Sequence, residues 1–264
     1  GGFSTSSESL GGFSAYAQWV VVVFMMLAGM SFALHYRGLR NPMEYTRDAE
    51  LKIYVAVVGA ASVITAIGIW GGGVGQTIRD SVFTVVSLVT TTGYATADFN
   101  LWPGALVIMV VGLMFVGGMA GSTAGSVKTY RIGVLTRASL ADIRRVIHPR
   151  GIFPVRLGGK KVPEPIVESV QAFFLFYMFI FMTGTFVLGV FSSAIGPDLD
   201  FVSAVSAVAS ALGNIGPGLG ELGPTATYAE VTALGKWLLS GLMIAGRLEI
   251  FPIVLLFTRE LWRK

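Results

Sequence analysis

Four stretches of this 264-residue chain are long and apolar enough to cross a bilayer, whose hydrocarbon core takes about 20 helical residues. Residues 15–36 and 53–78 contain no charge, 101–127 are uncharged but dissolve into glycines halfway, and 169–197 are uncharged and rich in Phe. A fifth, 232–258, is apolar except for Arg247 and Glu249. Two further apolar stretches do not read as spans. SVFTVVSLVTTTGYATA (81–97) and FVSAVSAVASALGNIGPGLG (201–220) each open like a short helix and then turn to Thr, Asn, Gly and Pro. Irregular backbone at membrane depth leaves amides and carbonyls unpaired unless it is buried in protein or lines a wet cavity. These stretches are therefore expected to be half-helices followed by re-entrant loops.

The order of parts repeats. A span (53–78), a half-helix (81–90), a loop (91–97) and a second span (104–127) are followed by the same series at 169–197, 199–212, 213–220 and 232–258. GGFST and the span 15–36 match only the last two parts. The chain reads as two and a half copies of one helix–pore-loop–helix unit, an all-α polytopic membrane protein with repeated units around a single pore.

Charge orients the units. Only 13% of residues are charged, where a soluble chain carries roughly a quarter. Sixteen of the 19 Lys and Arg fall in the segments 37–52, 128–161 and 259–264, which marks that face as cytoplasmic. The loop-bearing face keeps Arg79 and Lys236 against seven acids, among them Asp80, Asp98 and Glu221. A negative vestibule of that kind concentrates cations. The pI of about 9.4 follows from the same topology and does not point to nucleic acid. The chain has no cysteine, and its two histidines are isolated, so thiolate chemistry and a histidine metal site drop out. No nucleophile–base pair suggests an enzyme. The segment 128–161 reads as a basic amphipathic helix on the cytoplasmic surface or a docking site for a cytosolic partner. The start at GGFST suggests a piece of a longer protein.

The candidate chemistry lies in the loops. TTTGYAT (90–96) places hydroxyls and a glycine at the carbonyl end of a buried half-helix. That end favours a cation, and carbonyls and hydroxyls replace its hydration shell. Asn214, Ile215 and Gly216 align with Thr91, Thr92 and Gly93, and Gly2-Phe3 aligns with Gly93-Tyr94. The candidate ion-binding set, for a dehydrated monovalent cation, is Gly1, Gly2, Thr91, Thr92, Gly93, Asn214, Ile215 and Gly216. GGMAGSTAGS (117–126) is too rich in glycine for a stable helix, each Gly costing about 1 kcal/mol relative to Ala. It is a close-packing patch or an intramembrane loop. Arg247, a charge inside a span, is expected to face a cavity or a partner, either the pore or the 117–126 loop. Glu249 pairs with Lys128 or steadies another helix. An alternative function for broken helices is secondary transport of another small solute, but such sites use inverted repeats, and these repeats run the same way.

GGFST, TTTGYATADF, GGMAGSTAGSVKT, GNIGPGLGE and AGRLEIFP together resemble the TrkH/TrkG branch of the Trk/Ktr/HKT superfamily of potassium transporters, over essentially the whole chain. The resemblance implies potassium uptake across the bacterial cytoplasmic membrane through one pore with four such units, each supplying a filter glycine. On that scheme residues 1–52 end a second repeat, 53–148 form a third with the loop 117–126 and the basic helix, and 149–264 form a fourth. It also implies a gate at Gly117, Gly118, Gly121, Ser122, Thr123, Gly125 and Arg247. The implied partners are a second copy in a homodimer, a cytosolic TrkA-type nucleotide-binding subunit and the lipid bilayer. No cofactor is implied for this chain, and any nucleotide would bind the partner.

Overall fold

In the computed structural model, all residues except Gly1, Ser7, Gly72, Phe257 and Lys264 are described, as are all side chains but theirs and those of Glu260 and Leu261. The helices are α1 (Ala15–Ala28), α2 (Phe32–Arg40), α3 (Met43–Arg47), α4 (Ala49–Gly68), α5 (Val74–Val89), α6 (Gly104–Met114) and α7 (Thr129–Ile147). A two-stranded hairpin, β1 (Arg156–Leu157) and β2 (Lys160–Lys161), follows. Then come α8 (Glu164–Ile195), α9 (Phe201–Gly213), α10 (Ala233–Arg247), α11 (Phe251–Leu256) and α12 (Arg259–Trp262).

The half-helices α5 and α9 form the protein interior. Every residue from Asp80 to Val89 is buried except Val82, and so is every residue from Ser203 to Gly213 except Val205. α5 packs on α4, α1 and α6, whereas α9 packs on α10, α8 and α6. The apolar cores around Phe83, Val86 and Leu88 and around Val208 and Leu212 enclose their outer sides. Asp48, Asp200 and Thr232 cap α4, α9 and α10 by accepting backbone amides in their first turns. A third core, around Val134, Ala138, Val155 and Val170, joins α7 and the hairpin to the start of α8. The hairpin, which no hydropathy pattern announced, turns on Gly158 and Gly159, both at positive φ.

Several expected bounds change. The span set at 53–78 ends at Gly68, and Val74–Ile78 belong to α5, whose helix therefore starts before residue 81. The expected spans 15–36 and 232–258 are not continuous. The first turns through 95° between α1 and α2, and the last breaks at Leu248–Ile250 between α10 and α11. By length and apolar composition α4 and α8 alone could cross a membrane unbroken, among the described residues.

The breaks have a common cause. α6 stops at Met114, as its glycines predict, and the loop after it lies across the ends of α1 and α10. Met119 N donates to Gly29 O at 2.9 Å, and Thr123 N donates to Ala28 O at 3.3 Å. Arg247 Nη1 donates to Thr123 O at 2.8 Å. The loop thus satisfies the carbonyls freed at the end of α1, whereas those at the end of α10 are taken by the amides of residues 248–250 and the loop receives the Arg247 side chain.

Candidate ion-binding site and gate

The three re-entrant loops meet side by side. Gly2 N donates to Thr92 O at 2.6 Å. A Cβ on Gly2 would strike Gly93 O, and one on Gly93 would strike Ile215 O and come within 2.9 Å of Gly2 N. Gly2, Gly93 and Gly216 have φ of 62°, 82° and 127°. Conformation therefore calls for glycine at all three, and close backbone contact calls for it again at Gly2 and Gly93. The equivalence extends one step back: Thr91 (φ 53°) and Asn214 (φ 58°) share the left-handed conformation, rare for a β-branched residue. Gly1 lies outside the described residues.

Serines hold the two complete loops at equivalent places, six residues before the loop glycine. Ser210 Oγ accepts Gly216 N at 2.9 Å, and Ser87 Oγ donates to Tyr94 O at 2.6 Å. Ser206 Oγ and Ser203 Oγ accept Leu219 N and Glu221 N, so one face of α9 anchors its whole loop. Tyr228 OH donates to Gly216 O at 3.2 Å, and burial pushes its phenol up to about 12. The sequence reading missed these supports, and the signal available was serine at three- and four-residue spacing (203, 206, 210).

Beneath the loops lies an open cavity of about 500 Å³ lined by Gly2, Thr91, Thr92, Asn214, Thr123 and Arg247, among others. It brings four of the candidate ion-binding residues, Gly2, Thr91, Thr92 and Asn214, and two of the candidate gate residues to one space, whereas Gly93, Ile215 and Gly216 do not line it. Gly117 and Gly118 lie buried at the root of the gate loop, whereas Gly121 is exposed at its turn. Gly117 N donates to Val127 O, and Gly118 O accepts Thr129 N, which closes the loop on itself. Gly121 O accepts Phe32 N. Gly125 N donates to Thr91 Oγ1 at 2.7 Å, a direct tie between the loop 117–126 and the re-entrant loop after α5. Thr123 Oγ1 donates to Ala28 O at 3.1 Å, and Ser122 Oγ accepts Ala124 N. Glu50, at the head of α4, accepts from Ala120 N, Thr129 Oγ1 and Tyr130 N and so fixes the far end of the loop. Of the two orientations open for Arg247, the loop contact is made while the residue still lines the cavity. Glu249 pairs with Arg131 of α7 at 2.5 Å, not with Lys128, which bonds Ala124 O.

A family model described as TrkH, cation transport protein, matches residues 72–264. The chain belongs to the TrkH family. It is 37% identical over 270 residues to a Trk system potassium uptake protein TrkH of Halomonas elongata, covering all of this chain and 54% of that protein. The TrkH and TrkG proteins of Escherichia coli K12 are 33% and 32% identical over 271 and 272 residues, again with 54% of each covered. The crystal structure of the potassium transporter TrkH from Vibrio parahaemolyticus superposes with a TM-score of 0.91 at 32% identity, over all of this chain and 56% of that one. The chain thus spans about half the length of the TrkH relatives it matches. Its fold is that of a TrkH-type polytopic membrane protein.

Proposed function

We propose that this chain supplies three of the filter loops and the gate of a potassium-uptake pore in a bacterial cytoplasmic membrane. The observation that carries it is the contact of Gly2, Gly93 and Ile215 backbone above a cavity shared with Arg247. Backbone oxygens and Thr hydroxyls there offer a monovalent cation hard, neutral ligands in place of water. The ion-binding set is Gly2, Thr91, Thr92, Gly93, Asn214, Ile215 and Gly216. The loop 117–126 and Arg247 act as the gate, closed in this arrangement because the loop lies across the path. A fourth loop from the remainder of the protein completes the ring. The names of the relatives support potassium as the ion, and the sequence resemblance alone implies a homodimer and a TrkA-type regulatory subunit on the cytoplasmic face. Secondary transport of another solute is not favoured, because all the visible loops enter in the same sense.

The test is Rb⁺ and Na⁺ flux through the reconstituted full-length protein carrying Gly93→Ser. A side chain at φ 82° against Ile215 O distorts the ring, so Na⁺ permeation relative to Rb⁺ rises. Unchanged relative permeation in a folded variant would sink the assignment.

A further inference from the structure

A second cavity, of about 240 Å³, shares Arg247 with the candidate ion-binding cavity and is bounded by Ser122, Lys128, Phe173, Tyr177, Arg247 and Glu249, among others. Its lining offers Lys128, Arg247 and the Tyr177 hydroxyl as donors and Glu249 as an acceptor, and Arg131 lies beside it against Phe173 and Glu249. Lys128 is 8% exposed, and one of its three N–H groups is placed, on Ala124 O. Tyr177 is 2% exposed, and its hydroxyl, near Ser126, has no hydrogen-bond partner among the described residues. Arg131 stacks on Phe173 with its guanidinium 3.9 Å from the ring centre. Its Nη2 bonds Glu249, while its Nη1 is buried without a partner among the described residues. Lys128, Arg131 and Arg247 thus stand against two carboxylates, Glu249, half exposed and turned to Arg131, and Glu50, already committed to Ala120 N, Thr129 Oγ1 and Tyr130 N, which leaves one positive charge in surplus.

We propose that this cavity is a binding site for a small inorganic anion of the chloride class. An anion accepts from Lys128, Tyr177 and Arg247 together and balances the surplus charge, whereas water does only the first and a cation neither. The space equals about eight waters, enough for an ion with part of its hydration shell. Because Arg247 also lines the ion pathway, an anion in this cavity competes with Thr123 O for the guanidinium and screens its charge from an entering cation. An occupied site therefore favours opening. This last step alone rests on the proposed uptake function.

The test uses bromide in place of chloride with the full-length protein, read by anomalous diffraction. The expected result is a peak bounded by Tyr177, Lys128 and Arg247. Bromide also raises the thermal midpoint relative to gluconate at equal ionic strength, and Tyr177→Phe or Lys128→Gln shifts the half-saturating bromide about tenfold upward. No peak in the cavity, or stabilisation that neither variant changes, would overturn the site. Rb⁺ flux slower in gluconate than in chloride supports the gating step. Equal flux with bromide present in the cavity overturns that step and leaves the site standing. Absence of Rb⁺ flux in both salts counts against the uptake reading instead.

Discussion

Replacing Arg247 by Ala tests the gate most directly. Its Nη1 donates to Thr123 O at 2.8 Å, a hydrogen bond from a charged donor. Such bonds contribute about 1.5–3 kcal/mol, and the exposure of Arg247 to the cavity places this one near the lower figure. A loss of about 1.5 kcal/mol shifts the closed-to-open ratio about tenfold toward open. The loop does not fall free, because Met119 N, Thr123 N and Thr123 Oγ1 still bond the end of α1 and its Gly29 cap. The assay is open probability of the reconstituted full-length protein without its cytosolic partner, with Rb⁺ flux as a second readout. Arg247→Gln separates two causes. If the bond to Thr123 O holds the gate, Gln keeps a neutral donor and lies between the parent and Ala. If the positive charge alone bars the path, Gln equals Ala. A closed-to-open ratio for Arg247→Ala within about twofold of the parent, under 0.5 kcal/mol, refutes the latch.

Thr123→Val removes the hydroxyl bond to Ala28 O at unchanged volume, so about 1 kcal/mol of loop restraint goes and spontaneous opening rises severalfold in the same recordings. Ser210→Ala leaves Gly216 N without its acceptor, and Ser87→Ala leaves Tyr94 O without its donor. Each costs about 1–3 kcal/mol at the loop and lowers Rb⁺-over-Na⁺ selectivity in flux assays, while Ser81→Ala, whose bond returns to its own helix at Thr77 O, leaves selectivity intact. Tyr228→Phe lowers the thermal midpoint at neutral pH by the loss of the bond to Gly216 O. The phenol titrates higher folded than unfolded, so its contribution is complete below about pH 10 and fades as pH rises toward 12. The gap between parent and Tyr228→Phe melting curves is therefore constant from pH 6 to 9 by that account and closes in alkali.

The re-entrant loops were legible because helix-breaking residues interrupt apolar runs, and because two complete copies and a partial one could be aligned. The alignment reached single residues: Thr91 and Asn214, unlike in chemistry, share a left-handed backbone. The breaks in the first and last inner helices were not legible. LAGMSF and GRLEIF carry no proline at the break itself, and hydropathy registers polarity rather than helix continuity. The partners of the freed carbonyls of Ala28 and Gly29 lie some ninety residues away at Met119 and Thr123. The crowding of Gly29 against Tyr54 and Thr90, where a Cβ would sit 2.6 Å from the Tyr54 hydroxyl, likewise depends on tertiary approach. Glu50 was invisible for a different reason: an acid at the start of a span reads as an ordinary helix-cap residue.

The three breaks meet at the glycine-rich loop proposed as the gate, which Met119 and Ala124 anchor in the core. α1, α6 and α10 each end where the loop 117–126 runs, so a closed gate is a set of helix ends sharing one strand of backbone. At the last of them Glu249 and Ile250 both stand in left-handed conformations, at φ 60° and 58°. Strain of that kind costs about 1–3 kcal/mol per residue and persists only where surroundings enforce it. Here Ile250 is 1% exposed and donates its amide to Ala245 O, while Glu249 is held by Arg131 of the basic helix α7. The break is thus held from the cytoplasmic side by α7 and from the pore side by Arg247 on Thr123 O. A force on α7 that loosens Arg131 from Glu249 lets the strained pair relax toward helix and draws Arg247 off the loop. In the proposed gating, the contacts that hold the loop are therefore coupled to α7, one of the three basic segments of the chain.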